Sequence, residues 1–187
     1  NVAPCLFGGL RALASTPDGP VIIGLSLSEE VGFAYAAPAA RVSTDEARRI
    51  LPSTVPHKVA AASLGRIVAL TRGLAEANPE LIRIGVKDEL HLPHRLPLIP
   101  GVMGAISAGM DAGAWAVTIS GAGSGLIALC PPEKAEGVAD AMHAVFDAGG
   151  GDPECVGFGV RPDFDGLRRI WIQRRTSACG FEALNIG

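Results

Sequence analysis

The chain has 187 residues, 48% hydrophobic and 19% charged, with a formal charge of −3 at pH 7. This is ordinary globular usage, with enough apolar material for one sizeable core or two small ones. Sixteen basic against nineteen acidic residues, with no run of like charges, exclude electrostatic capture of nucleic acid or of an anionic membrane, leaving small molecules or proteins as the expected partners.

The four cysteines, Cys5, Cys130, Cys155 and Cys179, are scattered and form no C-x-x-C pair. Neither a metal knuckle nor a disulfide framework is indicated, and reduced thiols in the cytoplasm are the expectation. The chain opens NVAPCLFGGL, without a methionine and without the order of a signal peptide, which points to a fragment or a processed chain.

In chain order, Asn1 as an N-cap with Pro4 in the first turn predicts a helix within residues 1–13. TPDGP at 16–20 is a turn. VIIGLSLS and VGFAYAAP read as two strands joined near Glu29 and Glu30, a hairpin or sheet remnant ended by Pro38. The period then becomes helical. STDEARRILP has a Ser or Thr cap, Asp45 and Glu46 in the first turn where the helix dipole favours them, and Pro52 as a stop. A long helix follows, its stripe built from Val59, Leu64, Ile67, Val68, Leu70 and Leu74. ELIRIGVKDEL is a shorter amphipathic helix, and DELHLPHRLPLIPG at 88–101 is a stiff loop.

Residues 101–113 predict an alanine- and glycine-rich helix. Residues 112–132 carry no charge and are long enough to span a membrane, but GAGSG in their middle makes VTIS and LIALC two short strands around a tight turn. EKAEGVADAMHAVFDAGG is a helix ended by glycines, and ECVGFGV and RRIWIQR are closing strands. This is most of the β-α-β-β-α-β order of a ferredoxin-like α+β sandwich, with its first strand not evident. Residues 38–43 are the one candidate boundary.

Arg48, on the capped helix, and Arg95, in the proline-stiffened loop, each present the planar fork that grips a carboxylate or phosphate. The plainer alternative, which spacing alone favours, is a surface arginine or one paired with Glu46, Asp88 or Glu89. His91 and His94 beside Asp88 and Glu89 have metal-like spacing but lack a third and fourth ligand, so no metal is assigned. The SGAGSG turn at 120–125 reads either as a tight connector or as a backbone cradle for an anion, the connector being the stronger reading. No G-x-S-x-G elbow supports a hydrolase.

Several segments together resemble one family. HLPHRLPLIPG looks like the H-x-P-x-R-x-x-L-I-P-G signature of homoserine kinases, members of the GHMP superfamily of small-molecule kinases. STDEARRILP resembles their T-x-x-A-R-x-x-L-P segment, NVAPCLFGGL is similar to their D-N-V-A-P helix, and VTISGAGSGLIAL resembles the superfamily's I-S-G-S-G-P motif, with Ala122 and Ser124 departing from it. The resemblance implies a GHMP kinase C-terminal ferredoxin-like domain at 39–187, preceded at 1–38 by a remnant of the N-terminal domain. It also implies transfer of the ATP γ-phosphoryl group to the hydroxyl of L-homoserine, a step of threonine biosynthesis, with Mg2+.

Carried over by position, Arg48 and Arg95 would hold the substrate carboxylate, with Thr44 and His91 as neighbours, Asn1 at the substrate-side edge, and Gly121 and Gly123 in the loop facing the cleft. No catalytic residue is assigned within the chain. The family's P-x-x-x-G-L-G-S-S phosphate loop and metal-binding glutamate are not in these residues. The chain alone is therefore expected neither to bind ATP and Mg2+ in the family's way nor to turn over, and to need a missing N-terminal kinase domain or subunit. A homo-oligomer is expected. The alternatives are a non-catalytic amino-acid-binding or assembly module and a GHMP kinase for another small carboxylate-bearing alcohol.

Overall fold

Glycine ends the first element early. In the computed structural model, which describes residues 2–148 and 153–169, helix α1 (Val2–Phe7) stops at Gly8 and Gly9, both at φ +63°. A left-handed pair cannot prolong a right-handed helix. The helix expected within 1–13 is thus cut short, and Leu10–Thr16 becomes strand β1. It pairs antiparallel with β2 (Gly19–Leu25), in register from Leu10↔Leu25 to Thr16↔Gly19.

The hairpin expected between residues 21–28 and 31–38 is therefore not formed. Pro17 and Asp18 close β1 onto β2 locally, and β3 (Gly32–Ala37) enters a different sheet.

That sheet has four antiparallel strands in the order β4–β5–β3–β6, with β4 at Ala116–Ile119, β5 at Leu126–Cys130 and β6 at Val156–Val160. Counted from β3 the order is 2-3-1-4, the ferredoxin-like arrangement, so β3, expected as a strand of the hairpin, is the sandwich's first strand. Its alternation is legible once placed: Ala34 and Ala36 are fully buried, while Phe33 and Tyr35 lie on the other face. The uncharged run at 112–132 is largely β4, β5 and their turn, and no described helix is long and apolar enough to cross a membrane.

One face of the sheet is covered by α6 (Val102–Asp111) and α7 (Ala135–Phe146). Small residues let these layers approach. Gly109 lies against Met142 and Val117, and Gly157 and Gly159 of β6 lie against α7 at His143 and Glu136. Ala105, Leu126, Ala128, Val138, Ala139 and Met142 complete this core.

Between β3 and β4 the chain makes a long helical crossover. α2 (Thr44–Arg49) is capped by Ser43, whose Oγ accepts from Glu46 N at 3.1 Å. The long α3 (His57–Glu76) ends at Ala77, and Asn78 caps α4 (Pro79–Gly85) by accepting from Glu80 N and Leu81 N. The stiff loop expected at 88–101 contains a short helix, α5 (Leu92–Arg95), and a 3-10 turn at Leu96–Leu98.

The stripe expected along α3 is only half used. Leu70 and Leu74 join Val31, Ile82, Ala116 and Leu129 in a second core, but Leu64, Ile67 and Val68 stay exposed, at 70%, 53% and 66%. The reason is geometric: α4 packs on the last turns of α3, where Gly73 and Gly85 allow contact with Ile82 and Leu70, and the first turns run past it. Of RRIWIQR, only Arg168 and Arg169 are within the described residues, and the glycines expected to end α7 lie outside them.

Burial sets the chemistry of Cys130. Its thiol faces Gly32 O at 3.8 Å and is fully buried, which pushes its pKa up to about 11. At pH 8 roughly one thousandth is thiolate, the reactive form. Iodoacetamide should therefore modify exposed Cys5 at least a hundredfold faster than Cys130, as read by peptide mass mapping. Equal rates would mean that the layer between β5 and α7 opens readily.

Candidate functional site

Three segments far apart in sequence meet at Arg95. Arg95 is the last residue of α5, and its Nε–H donates to Ala47 O at 3.1 Å, while Nη1–H donates to Gly121 O at 3.3 Å. The Ala47 carbonyl is available because it lies in the last turn of α2, where backbone acceptors lack intrahelical donors: Ile50 N bonds Glu46 O and Leu51 N bonds Arg48 O. Arginine thus caps α2 from outside and ties it to the glycine-rich turn after β4.

Both acceptors are neutral carbonyls, so the hydrogen bonds orient the guanidinium without neutralising it. Among the described residues no carboxylate pairs with Arg95. Neither Asp88 nor Glu89 takes the role allowed to it above: Asp88 holds His91, and Glu89 pairs with Arg66. Further N–H groups of Arg95 remain for a ligand.

Arg48 follows Ala47 on the same short helix. It is exposed, and its side chain has no hydrogen bond or ion pair among the described residues, Glu46 included. Thr44 is the first residue of α2 and exposed. The 120–125 turn is closed by Ser120 N donating to Gly125 O at 2.8 Å and Gly123 N donating to Ser120 O at 3.1 Å. Gly121 and Gly123 have φ of +60° and +106°, and Gly121 has open space where a Cβ would stand. The backbone therefore needs glycine here and leaves Gly121 exposed at the rim.

His91 is held differently. Asp88 Oδ1 accepts from Leu90 N and His91 N at 2.8 and 3.1 Å, and Asp88 Oδ2 lies 2.7 Å from His91 Nδ1. The imidazole is thus fixed on the segment entering α5 and lines a cavity with Arg66 and Thr118. Asn1 lies outside the described residues. Among the described residues no group of three or more His, Cys, Asp or Glu side chains gathers in a way that could hold a metal ion.

Sequence reasoning missed two supports. One is the Ala47 carbonyl, which carries no side-chain signal. The other is Tyr35: its ring fills the space that a Cβ at Gly125 would need, and it packs against Phe158 with ring centroids 5.2 Å apart. A glycine closing a turn beside a strand was the available signal, but only pairing of β3 with β5 brings the ring there.

Such a ferredoxin-like sheet, with an arginine clasp beside its glycine turn, fits the comparison with known families. Residues 67–148 match the family model described as GHMP kinases C terminal, and this part of the chain is a GHMP kinase C-terminal domain. More particularly, the chain is 41% identical over 151 residues to the homoserine kinase of Synechococcus sp. strain RCC307, a match covering 80% of this chain and 48% of that protein. The homoserine kinase of Prochlorococcus marinus strain MIT 9303 is 40% identical over 152 residues, with the same coverage. The crystal structure of homoserine kinase from Cytophaga hutchinsonii ATCC 33406 superposes with a TM-score of 0.80 at 32% identity, over 89% of this chain and 52% of that one. The chain therefore spans about half the length of the relatives it matches.

Gly125→Ala should destabilise the fold by about 1–3 kcal/mol, the usual cost of overpacking. Tyr35→Ala in the same chain should recover part of it, measured by denaturant melts of the two single variants and the double. Strict additivity would show that the ring is not the obstacle.

Proposed function

We propose that this chain is the substrate-side half of a homoserine kinase, which transfers the ATP γ-phosphoryl group to the hydroxyl of L-homoserine in threonine biosynthesis. The observation that carries the reading is the Arg95 clasp: an un-neutralised guanidinium fixed between α2 and the glycine turn, in a chain about 40% identical to two homoserine kinases. Arg95 and Arg48 hold the amino acid's carboxylate, Thr44 and Asn1 flank it, and Gly121 and Gly123 form the rim. His91 acts as a more distant neighbour through the segment that enters α5.

Phosphoryl transfer asks mainly for positioning and charge stabilisation. The residues here do the first: they bind the carboxylate, orient the amino acid and offset its negative charge beside a polyanionic nucleotide. The phosphate-binding loop and the Mg2+ ligands belong to the N-terminal half of the complete enzyme, which acts in the cytoplasm, and the isolated chain does not turn over. We place the division between the halves after Leu25 rather than at residue 38. A cut at 38 would assign β3 to the N-terminal remnant and take the first strand out of the sheet. Exposed Val21, Ile22 and Ile23 of β2 and Leu64 and Val68 of α3 suit contact with the other half or with a second copy in a homo-oligomer.

Calorimetry should show L-homoserine binding to the chain, with its methyl ester at least tenfold weaker because the carboxylate is masked. Homoserine-dependent ADP formation should be absent from the chain alone and present when the N-terminal half of the Synechococcus relative is supplied with it. Binding without any turnover on complementation would favour an amino-acid-binding module, and no binding would overturn the reading.

In the complemented enzyme, Arg95→Lys should raise KM for homoserine at least tenfold, a charge-assisted hydrogen bond being worth about 1.5–3 kcal/mol. Arg48→Ala should do the same. An unchanged KM in either would return that arginine to a structural or surface role.

A further inference from the structure

The sheet has a second functional face. Val117 and Ile119 of β4 pack toward α6 and α7, so Thr118 between them points the other way, toward the core that holds Leu74 and Ile82. There a cavity of about 380 Å³ lies between the later turns of α3, residues 85–91 and Thr118. That volume is typical of a small-molecule site, roughly 300–1,000 Å³. Its walls are apolar at Ile67, Leu70, Val86 and Leu90.

Among the polar groups of the lining, which include Asp88, His91 and Thr118, Arg66 is the one with a buried nitrogen left incompletely bonded. One of its terminal nitrogens, Nη2, pairs with Glu89, but the other, Nη1, is buried with no hydrogen-bond partner. A buried donor left without an acceptor costs about 1–3 kcal/mol, more for a charged group, and native structures rarely tolerate one without a reason. The neighbouring carboxylate does not supply the acceptor, since Asp88 is engaged by Leu90 N, His91 N and His91 Nδ1. Lys87 adds a second positive charge to the lining, and the one carboxylate in it, Asp88, is held on His91. The Arg66 side chain keeps 22% of its surface, so a small turn of the guanidinium presents Nη1 to an occupant.

We propose that this cavity binds a small aliphatic carboxylate, its carboxylate on Arg66 and its hydrocarbon body against Leu70, Val86 and Leu90. Arg48, Arg95 and Gly121 do not line the cavity, and His91, on the segment entering α5, is the one residue it shares with the clasp's surroundings. Charge selects the head of the ligand, and the apolar walls select a short uncharged body over a second polar group.

The test is calorimetry on the full chain with butyrate, and with butyramide as a neutral probe of the same size. Butyrate should bind and butyramide should not. Arg66→Gln should weaken butyrate at least tenfold, and Arg48→Ala should leave it unchanged. Ile67→Trp, at a position 53% exposed and so tolerant of bulk, should also weaken butyrate tenfold by filling the mouth, and it decides the matter if Arg66→Gln fails to fold by circular dichroism. No butyrate binding, equal binding of butyramide, or binding that survives both cavity variants would overturn the proposal. Loss in Arg48→Ala with retention in Arg66→Gln would assign the carboxylate to the clasp instead.

Discussion

The four-stranded sheet depends on β3. It hydrogen-bonds with β5 on one side and with β6 on the other, so without it β6 is cut off from the β4–β5 pair. Its composition suits both duties. Ala34 and Ala36 are small enough to let α7 lie close on one face, while Tyr35 on the other covers Gly125 at the end of the glycine turn. The turn then offers Gly121 O to Arg95, whose second hydrogen bond reaches Ala47 in α2. A core strand is thereby connected, through one ring and two carbonyls, to the position of two arginines.

The clasp also shows how a protein fixes a charge without spending it. A carboxylate partner would have oriented Arg95 equally well but would have cancelled the field that an anionic ligand feels. Neutral backbone acceptors orient it and leave the charge in place. Arg66 is the contrasting case: Glu89 neutralises one end of its guanidinium, and the structure leaves the other end incomplete. The two arginines thus stand in different settings, one at an open rim and one in the wall of a partly open, largely apolar cavity.

The exposed apolar side chains follow from the same architecture. The hairpin β1–β2 leaves Val21, Ile22 and Ile23 uncovered, and the first turns of α3 leave Leu64 and Val68 uncovered. The two core clusters of the described residues form the sheet's helical face and the α3–α4 corner, and neither includes these side chains. The chain spans about half the length of the relatives it matches, and exposed apolar patches of this kind mark contact surfaces.

The sequence by itself determined the elements whose signals are local. The Ser43 cap and Asp45–Glu46 first turn of α2, the glycine turn between β4 and β5, and the helical period of α7 all lie within a few residues of what they specify. Hydrogen bonds between near neighbours give such signals. Motif resemblance selected Arg48, Arg95 and the glycine turn without showing that any of them touch.

Tertiary structure alone decided the rest, because the deciding partners are distant in sequence or carry no side chain. The partners of β3 lie about 90 and 120 residues further along the chain, so no local window distinguishes it from a hairpin strand. Which part of the α3 stripe is buried depends on where α4 returns. Arg95 finds the carbonyls of Ala47 and Gly121, groups that every residue possesses, and only the folded chain places those two within reach of one guanidinium.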